Sequence, residues 1–368
     1  MQTIETKKKH EPRFHVTKRS SFPLHKSILI RVVTIAAALI FTAVLSYILF
    51  DKLKNPLDMI KTLFDGSFGT ERRLWKFFKD LAVLLCISMA ITPAFRMKFW
   101  NIGAEGQVLI GALAAIACAF YLRDNIPNPL LLIIMLLASI LASTIWGVIP
   151  AIFKAIWNTN ETLFTLMMNY IATYFVSYAL IIWTPDGSST LGIVPFGHLP
   201  VIVHPYLLLI AIVALMTVAM YVYLYHSKQG YEISVVGESQ KTACYIGINV
   251  KKVIIRTMAI SGAICGVSGF LIVSALDHSI TATTVGGLGF TAIMVSWLAK
   301  FNPFTMIITS GLIVFLDQGA SQLSTTLDIS AAYPSVVVGI ILFFIIGCEF
   351  FINYQIKFRK SEKGGSKK

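Results

Sequence analysis

Apolar stretches long enough to cross a membrane recur throughout this 368-residue chain. Val32 to Phe50 is the first, and it contains no charged side chain. A helix needs about 20 such residues to traverse roughly 30 Å of hydrocarbon. Composition agrees with this. Some 56% of residues are hydrophobic and only 13% charged, where a soluble domain carries about 25% charged. The expected fold is an all-α polytopic membrane protein, one helical bundle rather than a string of soluble domains.

The formal charge of +13 does not point to nucleic acid, because of where the cations sit. Seven Lys or Arg fall within residues 1–27 and six after Asn353. Flanking the first and last spans in this way is the pattern of the positive-inside rule. We therefore expect a basic cytoplasmic tail at 1–27, a transmembrane domain at 28–353 and a second basic cytoplasmic tail at 354–368. The N-terminal stretch lacks the short apolar core and small-residue cleavage site of a secretory signal, so the first span is read as retained.

Hydropathy predicts ten membrane-crossing or membrane-entering segments, near 30–50, 80–95, 100–122, 130–153, 162–183, 205–225, 253–276, 288–299, 303–319 and 333–353. The eighth is too short to span alone and reads as a half-helix. Arg96 and Lys98, Lys154, Lys228 to Lys252, and Lys300 mark one side as cytoplasmic. The opposite connections, 184–204, 277–287 and 320–332, contain no Lys or Arg. Residues 51–80 break the pattern, with seven Lys or Arg and five acids. This amphipathic segment could lie on the outer membrane surface, meet an external partner or present a solvated face.

Five cysteines (Cys86, Cys118, Cys244, Cys265, Cys348) form no CxxC pair and no zinc-spaced cluster with histidine. They read as small apolar fillers, and no metal site is expected. Gly103-x-x-Gly106 and Gly286-x-x-Gly289 each enter an apolar run, a faint echo of the broken helices found in inverted repeats.

The most conspicuous stretch is FWNIGAEGQVLIG, residues 99–111. It puts Glu105 and Gln107 at the head of a long apolar run, where a charge is unfavourable by roughly 3 kcal/mol. Intramembrane polar groups usually face a bundle interior or a water-filled path. Asn101, Glu105 and Gln107 are therefore candidates for a solute path, with weaker ones at Asn160, Glu161, Asn169 (near mid-depth), Asp317 and Gln318. Phe290 and Trp146, Trp183 and Trp297 could stack on a ring. Glu105 reads equally well as a structural partner inside the bundle, and the aromatics as interface or core.

The longest late connection, residues 226–252, carries four lysines and a segment, Ser239 to Gly247, that can form a short helix. Thr242 and Ala243 are expected to face a partner, and Gly247 to end the helix in a left-handed cap.

These segments carry a family resemblance. KTACYIGINVKK (241–252) is similar to the coupling helix of permease subunits in bacterial ABC importers, with Thr242 in place of an alanine and Gly247 kept. FWNIGAEGQVLIGA resembles the Asn-Ile-Gly-Ala-Glu-Gly-Gln signature of the nucleoside and simple-sugar branch, within the branched-chain amino acid and ribose permease superfamily. NETLFTLMMNYIA (160–172) and GLGFTAIMVSWLAKFNPF (287–304) resemble the same branch. Two features depart from it. Lys241 stands where a carboxylate is usual, with Glu238 three positions earlier, and MVSWLAK is bulkier than the usual small-residue run.

The resemblance implies an ABC importer permease fold in a bacterial plasma membrane, importing a nucleoside or simple sugar by alternating access. Its partners would be an ABC ATPase engaging Glu238, Thr242, Ala243 and Gly247, a second identical or paralogous permease, and an extracytoplasmic substrate-binding protein. No GxxxxGK[ST] phosphate loop is present, so ATP would be used by the partner. The chain itself is expected to bind no cofactor and catalyse no covalent chemistry.

Three alternatives compete with this reading. A riboflavin-like vitamin could replace the nucleoside. An ion-coupled secondary transporter could use Glu105 and Asp317. An intramembrane protease is suggested by Gly266-Val267-Ser268-Gly269, but no histidine in a later span could activate Ser268.

Overall fold

The computed structural model describes residues 14–18, 23–49, 56–122, 126–184, 190–328, 330 and 332–358. Much of the two basic tails, and residues 51–55 of the mixed-charge segment, lie outside the described residues. The chain enters through a short strand, β1 (Phe14–Lys18), and the helices α1 (Leu24–Leu49), α2 (Pro56–Phe68) and α3 (Glu71–Arg96). Next come α4 (Ala104–Leu122), α5 (Asn128–Trp157), α6 (Glu161–Trp183) and α7 (Leu207–His226). Two short helices, α8 (Lys228–Glu238) and α9 (Gln240–Tyr245), precede α10 (Val250–Ile272), which continues as a π-helical turn, Val273–Asp277. The chain ends with α11 (Leu288–Leu298), α12 (Pro303–Leu327), α13 (Tyr333–Asn353) and β2 (Tyr354–Phe358).

Among the described residues nine helices are long and apolar enough to cross a membrane, and α11 is a tenth, shorter apolar helix. The ten expected segments are all present, with the eighth as the half-helix. One boundary is corrected. The second span begins at Glu71 rather than near residue 80. Thr70 caps it, its hydroxyl accepting from the Arg73 amide at 3.3 Å, and this satisfies an otherwise unpaired first-turn donor. The mixed-charge segment is thereby split between α2 and the start of α3.

The chain divides into two compact units, 67–315 and the pair 1–66 with 316–368. In the larger unit α10 packs on α3, α4 and α5. Gly262, Gly266 and Gly269 line its contact face; a Cβ on Gly266 would stand 2.5 Å from the Ser139 carbonyl oxygen. Small residues let membrane helices touch backbone to backbone, where dispersion contacts replace the missing hydrophobic drive. Ser139 adds a 2.6 Å hydrogen bond to the Gly266 carbonyl. Ser268 is buried on the same helix and donates to the Cys86 sulfur and the Ile264 carbonyl, both at 3.0 Å. Its surroundings are those of a packing residue.

In the smaller unit α1 packs on α13, with Arg31 paired to Glu349 and Ser46 bonded to Tyr333. In the same unit α2 buries Met59 and Leu63, and Leu63 lies against Gly319 of α12. β1 and β2 pair antiparallel, Phe14 opposite Phe358.

The segment after α6 folds back onto the end of α10. Val194 and Leu199 amides donate to the carbonyls of His278 and Ser274, each at 2.9 Å. The His198 and His278 rings stack at 3.8 Å, and His198 Nε2 lies 2.7 Å from the Val194 carbonyl oxygen. Burial, and then the neighbouring His198, hold the His278 pKa below its ordinary value, against a smaller opposing effect of a backbone hydrogen bond to Val273. The clasped segment therefore binds fewer protons than the opened one below about pH 6.5, so closure is favoured at neutral pH and lost as the pH falls. Hydrogen exchange at Val194 and Leu199, corrected for intrinsic rate, should accelerate between pH 7.5 and pH 5. His278→Phe should flatten that dependence, and an unchanged pH profile in the variant would exclude His278 as its origin.

Candidate functional site

The glutamate that looked misplaced in the sequence meets a broken helix. Gly286 and Gly287 adopt left-handed backbone, with φ of 59° and 83°, a region glycine enters without a Cβ clash. The turn aims the first amides of α11 at α4. Glu105, in the first turn of α4, accepts from the Gly287 amide through Oε1 and from the Gly289 amide through Oε2, both at 2.7 Å. A helix N-terminus presents unpaired donors and a partial positive charge. A carboxylate satisfies both, through charge-assisted bonds of about 1.5–3 kcal/mol each. Gly289 must be small, because a Cβ there would lie 2.6 Å from the Glu105 backbone nitrogen. The two glycine-interrupted segments noted in the sequence are therefore in direct contact.

Asn169 fixes the same region from α6. Its Nδ2 donates to the Ile102 carbonyl and its Oδ1 accepts from the Gly106 amide, both at 2.9 Å. Asn101 Oδ1 accepts from the Gly103 amide at 3.0 Å and from Gln107 Nε2 at 3.3 Å, while its Nδ2 reaches Ser261 of α10 at 3.4 Å. Asn101 is 0% and Gln107 1% exposed. Asn169 is likewise 6% exposed. In this conformation their polar groups are occupied within the bundle, and they brace α4 against α6 and α10.

Glu105 is half-buried, and Phe290, one residue beyond its second contact, is exposed on α11 with Met294 and Trp297. Asn160 caps α6, accepting from the Thr162 and Leu163 amides, and Glu161 pairs with Lys154 at 2.9 Å. Asp317 belongs to the smaller unit, exposed on α12, so it is not among the residues gathered here.

A second surface forms at α8 and α9. Ser239 caps α9 by accepting from the Thr242 amide at 3.2 Å, and Gly247 ends the turn at φ 83°. The expectation for Ala243 is corrected. It does not face outward but is fully buried with Met97, Phe99, Ile233 and Val253, because α9 lies flat on the ends of α3 and α10. Glu238, Lys241, Thr242 and Gly247 are exposed, as are Tyr245, at 91%, and Ile246. A cleft of about 770 Å³ beside α9 is lined in part by Lys154, Gln240, Lys241, Asn249 and Lys251.

Residues 75–346 match the family described as branched-chain amino acid transport system / permease component. The chain belongs to this permease family. It is 29% identical over 308 residues to a guanosine ABC transporter permease of Bacillus subtilis, covering 80% of this chain and 86% of that protein. A glucose ABC transporter permease of Haloferax volcanii is 26% identical over 328 residues, covering 84% and 85%. A nucleoside ABC transporter permease of Lactococcus lactis is 25% identical over 339 residues, covering 84% and 88%.

Within the permease, the partners that sequence reasoning missed are Ser261, Thr165 and the Gly287 and Gly289 amides. Thr165 accepts from the Ile102 amide at 3.2 Å. The capping role makes a direct prediction. Glu105→Gln keeps one acceptor oxygen but turns an NH₂ toward an amide donor, and should lower stability by about 1.5–3 kcal/mol. Glu105→Ala and Gly289→Val should lower it further. Thermal unfolding of the detergent-purified permease measures this, and wild-type melting temperatures in all three would rule out the cap.

Proposed function

We propose that this chain is the transmembrane subunit of an ATP-driven importer for nucleosides or simple sugars, with nucleosides first. The observation that carries the reading is how charge is handled at depth. No described Lys or Arg lies in the middle third of any of the nine spans. The Glu105 carboxylate is held by backbone amides of the same chain rather than by a cation. Such a bundle offers hydroxyls, amides and aromatic rings, which suit an uncharged polyhydroxylated solute better than an ion. The names of the guanosine, nucleoside and glucose relatives support the same solute class.

In this reading α9 is the surface a separate ATPase grips, with Thr242, Tyr245 and Ile246 outermost and Glu238, Lys241 and Gly247 beside them. Ala243 acts from behind, seating α9 on α3 and α10. Both tails and the α8–α9 surface are cytoplasmic. A second permease completes the path, and an extracytoplasmic binding protein delivers the solute.

Two experiments test this. Cysteines placed at 228–246 should react only from the cytoplasmic side and those at 192–197 only from outside; reaction of both from one side would overturn the topology. Tyr245→Asp and Gly247→Val should leave the permease inserted and folded while cutting ATPase co-purification and nucleoside uptake at least tenfold. Ala243→Trp should instead lower thermal stability, since its side chain has no outward room. Undiminished uptake by Tyr245→Asp and Gly247→Val, in membranes stripped of any ATPase, would refute the importer reading.

A further inference from the structure

Tyrosine in membrane helices normally sits near the interface, where the ring is buried and the hydroxyl is wet. Most tyrosines on the described spans obey this. Tyr47, Tyr121, Tyr206, Tyr221, Tyr223, Tyr225 and Tyr333 lie within six residues of a helix end. On α6 it holds for Tyr178, five positions from Trp183, and fails for the other two. Tyr170 is nine positions from Glu161, and Tyr174 nine positions from Trp183. At 1.5 Å per residue each is about 13 Å from the nearer helix end. A tyrosine side chain is too short to carry its hydroxyl to the headgroups from there.

The two are also turned outward. Tyr170, Tyr174 and Tyr178 are 57%, 73% and 65% exposed. None of the three hydroxyls bonds to another described residue. Spaced four residues apart, they form a row along one face of α6, with rungs about 6 Å apart. The outer face of α5, which lies beside α6 with Trp146 against Phe175, is aliphatic at the levels of Tyr174 and Tyr178, Ile145 and Leu141, as expected of a face against acyl chains. A phenol hydroxyl against acyl chains would have no hydrogen-bond partner.

The level of the row is marked a second way. Asn169, adjacent to Tyr170, bonds to the irregular backbone at Ile102 and to Gly106, and Glu105 between them holds the broken start of α11. Irregular backbone at membrane depth is tolerated only where it is buried in protein or lines a water-filled cavity. Two chain breaks therefore lie at the depth where the tyrosine row begins.

We infer that Tyr170, Tyr174 and Tyr178 form one wall of the solute path, a ladder of phenols on which a planar, hydroxylated ring stacks and hydrogen-bonds at successive depths. Offset stacking of rings and a free hydroxyl at each rung suit a nucleoside. This deepens the proposed function and rests on it for the identity of the solute.

The test uses the complete transporter in membranes. Tyr174→Cys should react with a charged, membrane-impermeant methanethiosulfonate, above the wild-type background, at least tenfold faster than Leu141→Cys. Guanosine or uridine supplied with the binding protein should slow that reaction. Tyr174→Leu should lower nucleoside uptake at least fivefold at unchanged protein abundance, while Tyr174→Phe, which keeps the ring, should retain at least half. Labelling of Tyr174→Cys no faster than Leu141→Cys would place the row against lipid and overturn the proposal. Oxidative cross-linking of Tyr174→Cys to its copy in a second permease, with no reaction toward the impermeant reagent, would make the row a dry subunit interface, also overturning the proposal. Wild-type uptake by Tyr174→Leu would do the same. If the wild-type transporter imports neither nucleosides nor sugars, the importer reading fails, and the labelling comparison still decides whether the row is wetted.

Discussion

A carboxylate bonded to two amides of a broken helix sets the geometry of the larger unit. Glu105 fixes where α11 starts, after the irregular residues 278–287. Remove the carboxylate and two backbone donors lose their partners in a setting with few alternatives, at a cost of about 1–3 kcal/mol each. The charge that seemed out of place in an apolar run is stabilised by the helix end it satisfies. An ion pair would have required a lysine or arginine at the same depth, with its own desolvation penalty.

Two kinds of contact hold the bundle, and they differ in what they allow. The seam of α10 with α4 and α5 is backbone-to-backbone packing through Gly111, Gly262, Gly266 and Gly269. Such a seam has almost no slack, since a shift of an ångström forfeits its dispersion contacts. The joints of α4 to α6 and α11 add side-chain hydrogen bonds, from Asn169 and Glu105, to close backbone contacts at Gly106 and Gly289. From α9 the contacts run without a gap. Ala243 packs in the cluster containing Met97 and Phe99, and Asn101, two residues on, bonds to Gln107 and reaches Ser261. Contiguity supplies a route rather than proof of coupling, but it places the carboxylate joint four residues beyond the end of that route.

Much of the scaffold was legible before any coordinates. Ten apolar segments, the shortness of the eighth and the oddity of Glu105 follow from hydropathy and residue type alone. What the carboxylate does was not legible, because its partners are backbone amides 182 and 184 residues away, and an amide has no sequence signature. Asn101 and Gln107 were ambiguous for a related reason. A polar residue in an apolar run signals a polar environment, yet cannot say whether that environment is a path or a neighbouring amide. The start of α3 was missed because its first turns are charged, and hydropathy reports apolarity rather than helix; Thr70 three residues before Arg73 was the available signal. Ala243 was assigned outward because small residues suit docking, and they suit close packing equally well. The tyrosine row was readable from its four-residue spacing and central position, but only once the ends of α6 were known.

The choice of hydrogen-bonded joints around α11 has a functional logic that a better-packed core would lack. An alternating-access bundle must hold two arrangements of comparable free energy, and interdigitated apolar seams resist continuous deformation. A carboxylate on two amides is strong while made, yet it can exchange its acceptors for water or for a solute hydroxyl without opening a cavity. Because Glu105 is only half-buried, such an exchange needs no large rearrangement of α4. The joint that fixes the half-helix is therefore also the place where a hydroxylated solute could compete for the same lone pairs.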